Sequence, residues 1–252
     1  MSQRPIVIVT GASRGIGAAT ARLLGREKAA VVVNYRNDRA QADAVVKDIK
    51  ASGGEAFAIQ GDVGNEDDVM RLFAETDRAF GTLTGLVNNA GVTGGKKRRI
   101  EDVNFATIME VMRVNVAGQL LCAREAVKRM STRHGGKGGV IVNVSSLGAI
   151  TGSPHAFIDY ASSKGALETM TIGLAAEVAT SGIRVNCVRP GLIDTDIHDD
   201  AGIPDRVKRF GPTMPIGRAG EPHEVAEAIV WLLSDKSSYV TGDVISLTGG
   251  AR

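Results

Sequence analysis

The sequence predicts a doubly wound α/β fold: seven parallel strands in one sheet, helices on both faces, a single domain over residues 1–252. Three observations predict it. Apolar, β-branched runs alternate with segments of helical period along the whole chain, as expected of a parallel sheet covered on both faces. A glycine-rich turn stands directly between the first such run and the first helical segment. No linker, internal repeat or shift in composition divides the chain.

In order, the strands are expected over Pro5–Thr10, Ala30–Tyr35, Glu55–Gln60, Thr84–Asn88, Gly139–Val144, Ile183–Val188 and Val244–Thr248. Runs such as VIVT, AVVVNY and GVIVNV are short and β-branched, the mark of strands buried on both faces. Helices are expected between them, over Ile16–Arg26, Arg39–Ser52, Glu66–Phe80, Val103–Arg133, Tyr160–Ser181 and Pro222–Ser234. Each strand-helix-strand crossover is then right-handed. Gly91–Arg99 and Ser131–Gly139 read as surface insertions, and the basic run Lys96–Arg99 as a solvated face. Gly191–Pro215 lacks periodic apolar positions and is long for a loop in a compact domain, so a substrate lid is expected there.

Composition excludes several function classes. With 43% hydrophobic and 23% charged residues, the chain can bury a sizeable core as an ordinary globular protein. No stretch approaches the ~20 apolar residues of a membrane helix, and the N-terminus reads as no targeting segment. A net charge of +2 gives no reason to expect nucleic acid as a partner. Cys122 and Cys187 lie in apolar runs and are expected as reduced core residues of a cytoplasmic protein. The four histidines have no metal-ligand spacing, so no metal site is expected.

The glycine turn carries the first chemistry. Gly11, Ser13, Arg14, Gly15, Ile16 and Gly17 follow the first strand and open the first helix. Glycines there permit a tight turn and close approach of backbone to a pyrophosphate. The helix N-terminus adds free N–H groups and a positive dipole end. The spacing Gly-x-x-x-Gly-x-Gly differs from the Gly-x-Gly-x-x-Gly of the long-known dinucleotide fingerprint.

TGASRGIG resembles the corresponding turn of the short-chain dehydrogenase/reductase family, whose sheet is of the Rossmann type, and the resemblance continues in order along almost the whole chain. Asn88, Asn89, Ala90 and Gly91 match its NNAG element, and Asn115 its helix asparagine. Ser146, Tyr160 and Lys164 match its serine and Tyr-x-x-x-Lys pair. Pro190, Gly191, Ile193 and Thr195 match its nicotinamide-side loop, and Asp62 with Val63 its adenine-contacting pair. Tyr160 follows Ser146 by fourteen positions, one more than the commonest arrangement, so Ser146 is expected as the serine with Ser145 as the alternative.

The resemblance implies hydride transfer between a nicotinamide dinucleotide and a carbonyl or secondary alcohol, with Tyr160 as acid/base. A free tyrosine titrates near ~10, and an ammonium one helical turn away favours the phenolate, so Lys164 is expected to lower the Tyr160 pKa. Lys164 is further implied to hold the nicotinamide ribose, Asn115 to support a proton-relaying water, and Ser146 to hold the substrate oxygen. A non-catalytic dinucleotide-binding scaffold is the reading from another class. It has no need of Ser146, Tyr160 and Lys164, all of which are present.

NAD-selective sites place an acidic residue at the end of the second strand, where this chain has Asn34, Tyr35, Arg36 and Asn37. Arg36 and Arg14 suit a 2′-phosphate, so NADP(H) is expected, with NAD(H) second. Two subgroups look similar, the 3-oxoacyl-carrier-protein reductases and the glucose 1-dehydrogenase-like group. The former often carry arginines where this chain reads AAEVATS over residues 175–181, although Arg133 remains. The resemblance implies as partners a small carbonyl or alcohol and further copies of the chain, in a homotetramer built on the two long helices and the C-terminal segment.

Overall fold

The structure, a computed structural model, describes residues 4–252; the reading of Met1–Gln3 as part of no targeting segment lies outside the described residues. Seven parallel strands form one sheet in the order β3-β2-β1-β4-β5-β6-β7. They are β1 (Ile6–Val9), β2 (Ala30–Tyr35), β3 (Glu55–Gln60), β4 (Gly85–Asn88), β5 (Gly139–Val144), β6 (Ile183–Pro190) and β7 (Val244–Leu247). Every residue of β1, β2 and β4 is buried, which is why their sequence runs are continuously apolar rather than alternating.

The period of two then sorts side chains between two cores. Val7, Val9, Val31 and Val33 face α1 (Gly15–Arg26), α2 (Arg39–Ala51) and, beyond them in the chain, the helix Pro222–Leu233. Ile6, Ile8, Ala30 and Val32 face α3 (Glu66–Phe80) and the helices that follow β4 and β5. Helix starts carry their own signals. Asp38 caps α2 through the Gln41 N–H, and Asn65 caps α3 ahead of Glu66, Asp67 and Asp68, whose charges complement the dipole.

The structure departs from the sequence reading in the long helix expected over Val103–Arg133. A 3₁₀ turn (Ile100–Asp102) precedes α4 (Phe105–Met112), a π-turn (Arg113–Ala117) interrupts the helical ladder, and α5 (Gly118–Met130) continues it. After β5 come a single turn, α6 (Gly148–Thr151), and the long α7 (Ile158–Val178). The segment 191–215 is not irregular throughout: it folds into α8 (Ile197–Asp200) and α9 (Arg206–Phe210) before α10 (Pro222–Leu233).

Among the described residues, no helix is long and apolar enough to cross a membrane, and no cluster of His, Cys, Asp or Glu could hold a metal ion. Cys122 and Cys187 are free and buried, and burial pushes both thiols up to about 12.

Candidate active site

The strand order reverses between β1 and β4, so the loops leaving these two strands diverge to opposite faces and open a crevice at the carboxyl end of the sheet. A cleft of ≈ 860 Å³ lies there, within the usual range for a small-molecule site. It takes in nearly all the expected site residues. Gly17, Tyr35 and Asn115 stand behind its wall instead: Tyr35 and Asn115 are buried, and Gly17 packs inside α1.

The glycine turn is shaped by backbone that no side chain could share. Gly11 has φ +61 and its missing Cβ would meet the Ala90 Cα at 2.9 Å. A Cβ on Gly17 would strike the Asn89 amide and the Gly11 carbonyl, both at 2.5 Å. The NNAG element braces this turn from β4: Asn89 Nδ2 donates to the Thr10 and Gly11 carbonyls, and the Asn89 and Ala90 N–H groups donate to Thr10 Oγ1. From β2, Asn34 Oδ1 accepts from the Gly11 N–H while its amide donates to Gly61. Sequence order hid this brace, but it explains the asparagines near the end of β2 (Asn34) and directly after β4 (Asn89). The result is the open end of α1, Arg14 to Gly17, aimed at a bare-backbone hollow that fits a dinucleotide pyrophosphate.

Arg36, at the end of β2, lies half exposed on the cleft, 3.2 Å from Glu110 and 3.8 Å from Asp62. Burial raises the Asp62 carboxyl, but hydrogen bonds from Arg113 and the Gly64 N–H and the nearby Arg113 and Arg36 charges together hold it below its ordinary range. Val63 lines the cleft beside it. Arg14 pairs with Asp200 of α8, so a cation of the glycine turn reaches the segment after β6. That segment is pinned to α10's leading loop by the Gly220 N–H to Leu192 carbonyl and the Asp194 N–H to Gly220 carbonyl bonds, with Ile193 against Gly220 and Thr195 over Gly15 of the glycine turn.

At the other end of the cleft, β5 and α7 bring Ser146, Tyr160 and Lys164 together. The Ser146 hydroxyl faces the Tyr160 phenol and works to lower its pKa. Ser145, the alternative, turns the other way and donates to Glu168 Oε1 at 2.8 Å and to the Lys164 carbonyl. Lys164 Nζ donates to the Val144 carbonyl at 2.8 Å and stands 5.7 Å from the Tyr160 ring centre. Gly91 borders both: a Cβ there would sit 3.3 Å from Lys164 Nζ and 3.4 Å from Asn115 Oδ1.

Two expectations need revision. Lys164 was expected to lower the Tyr160 pKa, yet burial raises the Tyr160 pKa, opposed by Ser146 and the Arg206 charge, and burial pushes Lys164 itself down to about 8. For the phenol, the loss of hydration outweighs the opposing Ser146 and Arg206 contributions. The run 96–99 is not wholly a solvated face. Arg98 is largely buried, with its guanidinium on the Asp159 carboxylate and on the Thr93, Gly94 and Lys96 carbonyls, directly before Tyr160. Arg206 and His198 of the 191–215 segment also line the cleft, and the sequence reading named neither.

Asn115 sits in the π-turn, and its side chain is engaged: Oδ1 accepts from the Val92 N–H, and Nδ2 donates to the Val92 carbonyl and to Ser163 Oγ. The wide turn of the ladder lets this one residue clamp the NNAG loop to α7, a placement typical of such turns.

Comparison with known proteins agrees with this architecture. Residues 11–252 match a family described as enoyl-(acyl carrier protein) reductase. An uncharacterized oxidoreductase, YgfF, of Escherichia coli (strain K12) is 50% identical over 97% of this chain and 99% of its own. A glucose 1-dehydrogenase of Gluconobacter oxydans is 42% identical over 97% of this chain and 90% of its own. Among solved structures, a short chain dehydrogenase from Burkholderia cenocepacia in complex with NADP superposes with a TM-score of 0.88 at 32% identity, over 98% of this chain and 97% of the other. With the parallel sheet, the braced glycine turn and these relatives, the chain is an oxidoreductase that belongs to the short-chain dehydrogenase/reductase family.

Proposed function

We propose that the chain transfers a hydride between NADP(H) and a small carbonyl compound or secondary alcohol, with Tyr160 as the acid/base. The observation that carries this reading is the meeting of Ser146, Tyr160 and Lys164 at one end of a cleft whose other end is the glycine cradle. Nicotinamide supplies or accepts the hydride when it is bound. The chain's own residues do the rest. Tyr160 gives its proton to the carbonyl oxygen during reduction and takes it back during oxidation. Ser146, which faces the phenol, holds the same oxygen in line. Lys164 holds the ribose side of the cofactor, and Asn115 steadies it by tying Val92 to Ser163 of α7. Pro190, Gly191, Ile193 and Thr195 hold the nicotinamide side, and the 191–215 segment is the lid over the substrate. A panel of carbonyls and alcohols followed by NADP(H) absorbance tests the reading; no turnover with any member of a broad panel would overturn it.

NADP(H) is favoured over NAD(H) because Arg36 and Arg14 both line the cleft at the end where the adenosine ribose would rest. Their carboxylate partners are exposed, and such pairs are weak enough for a phosphate to displace. A hydrogen bond to a charged group is worth ~1.5–3 kcal/mol, so Arg36→Ala is expected to weaken NADPH by about one to two powers of ten and leave NADH almost unchanged. Calorimetric titration of both cofactors checks this, and equal losses would show that Arg36 only shapes the loop.

A homotetramer is the proposed assembly. On α7, Ser162, Ala166, Thr169, Gly173 and Ala176 form one exposed face of small residues, which allows close approach of another helix. Phe105 and Met109 of α4 and Leu120 of α5 are exposed apolar side chains at helical spacing. Tyr239, fully exposed just before the C-terminal segment, suits the second contact. Light scattering at micromolar concentration is expected to give four times the chain mass, and a stable monomer would refute the assembly.

A further inference from the structure

Arg206 has no part in the roles assigned above. It opens α9, is half-buried, and lines the same cleft as Tyr160. The two other arginines that line the cleft are paired, Arg14 with Asp200 and Arg36 with Glu110. Among the described residues, no carboxylate and no hydrogen-bond acceptor takes up the Arg206 guanidinium. Asp205, its neighbour in the chain, is turned to Arg209, and Asp196 is an exposed carboxylate at the cleft.

The cleft's other cations are already engaged, Lys164 on the Val144 carbonyl and Arg14 and Arg36 on carboxylates. Phe157, Leu192, Phe210 and Met214 make this part of the lining apolar. His198 is fixed by its Nε2 to the Ile193 carbonyl at 2.8 Å, and burial lowers its pKa, so it adds no second cation at neutral pH. A half-buried guanidinium without a counter-charge is costly, and the cost is offset only when an anion meets it. The Arg206 charge also bears on the Tyr160 phenol, so whatever it binds lies close to the reacting oxygen.

We propose that the substrate is a small oxo acid, or the corresponding hydroxy acid in the reverse direction, whose carboxylate is held by Arg206 a few bonds from the carbonyl at Tyr160 and Ser146. The planar fork of one guanidinium matches a carboxylate through two parallel N–H bonds. A phosphate dianion would need a second free cation, which neutral His198 and Asp196 do not supply and which Lys164, held on the Val144 carbonyl, does not offer. The inference rests on the hydride-transfer reading and adds the class of molecule that the lid selects.

The test separates the two. Reduction of 3-oxobutanoate and of 4-oxopentanoate is compared with that of their methyl esters, in wild type, Arg206→Gln and Arg206→Lys. Wild type is expected to favour the acids in kcat/KM, and Arg206→Gln to lower the acid-to-ester ratio by about 10- to 100-fold, mainly through KM. Arg206→Lys, which keeps charge but loses the fork, is expected to fall between. Equal losses on acid and ester, with a shifted pH profile, would mean that Arg206 acts only through Tyr160 and would overturn the proposal. So would a wild-type preference for the esters, which would point to an uncharged or thioester-linked substrate. A second readout needs no turnover: pentanoate and pentanamide are titrated calorimetrically into NADP-saturated protein. The carboxylate is expected to bind the wild type more tightly than the amide and to lose that advantage in Arg206→Gln. That result without turnover of any carbonyl would keep the anion site and sink the hydride-transfer reading; amide and carboxylate binding alike would do the reverse.

Discussion

Tyr160→Phe is expected to lower turnover by about three powers of ten while leaving NADPH binding within a few-fold. The substitution removes the phenol that faces Ser146 and keeps the ring in the wall beside Lys164. General acid–base catalysis contributes typically 10²–10⁴-fold, so the loss falls in that range. The pH dependence follows from the same residue. Burial raises its pKa, with Ser146 and the Arg206 charge opposing, so the phenol keeps its proton through neutral pH. Carbonyl reduction, which needs the proton, is expected to hold its rate through neutrality and fall only in the alkaline range. Alcohol oxidation, which needs the phenolate, is expected to climb with pH. Initial rates in both directions across pH, for wild type and Tyr160→Phe, decide this. Near-normal turnover of the variant, or an oxidation rate that does not rise with pH, would remove Tyr160 from the role.

The parts of this site that were legible in the sequence are those fixed by local sterics or by burial on two faces. β2 reads AVVVNY because each of its residues is enclosed. Gly11 and Gly17 are glycines because a Cβ at either would collide with the NNAG strand end. What was not legible depends on partners far apart in the chain or on elements too short to show a period. The π-turn at 113–117 keeps the helical spacing of its flanks, so nothing in the pattern marks it. α8 and α9 span four and five residues, below the length at which periodicity speaks, and Arg206 with them. The run KKRR reads as solvated charge until the fold places Asp159 against its third member.

That ion pair carries the last and, for stability, the largest expectation. Arg98 and Asp159 have side chains only 12% and 6% exposed, so removing either leaves a charge in a dry place. Breaking a buried pair from one side costs about 3–5 kcal/mol, whereas replacing both partners with apolar groups is often nearly neutral. Arg98→Leu and Asp159→Leu are therefore each expected to lower the melting temperature by roughly 6–20 °C in a chain of this size. The double variant is expected to recover most but not all of that. It no longer leaves a lone carboxylate, yet the Thr93, Gly94 and Lys96 carbonyls lose the guanidinium that now gathers them. Asp159 precedes Tyr160 in α7, so the single variants are also expected to lower kcat more than they raise KM, through a loosened phenol. Thermal unfolding of all four proteins at one fixed concentration closes the double-mutant cycle. Single variants that melt within a degree or two of wild type, with additive effects in the double, would show that the pair is held by its surroundings and holds nothing in return.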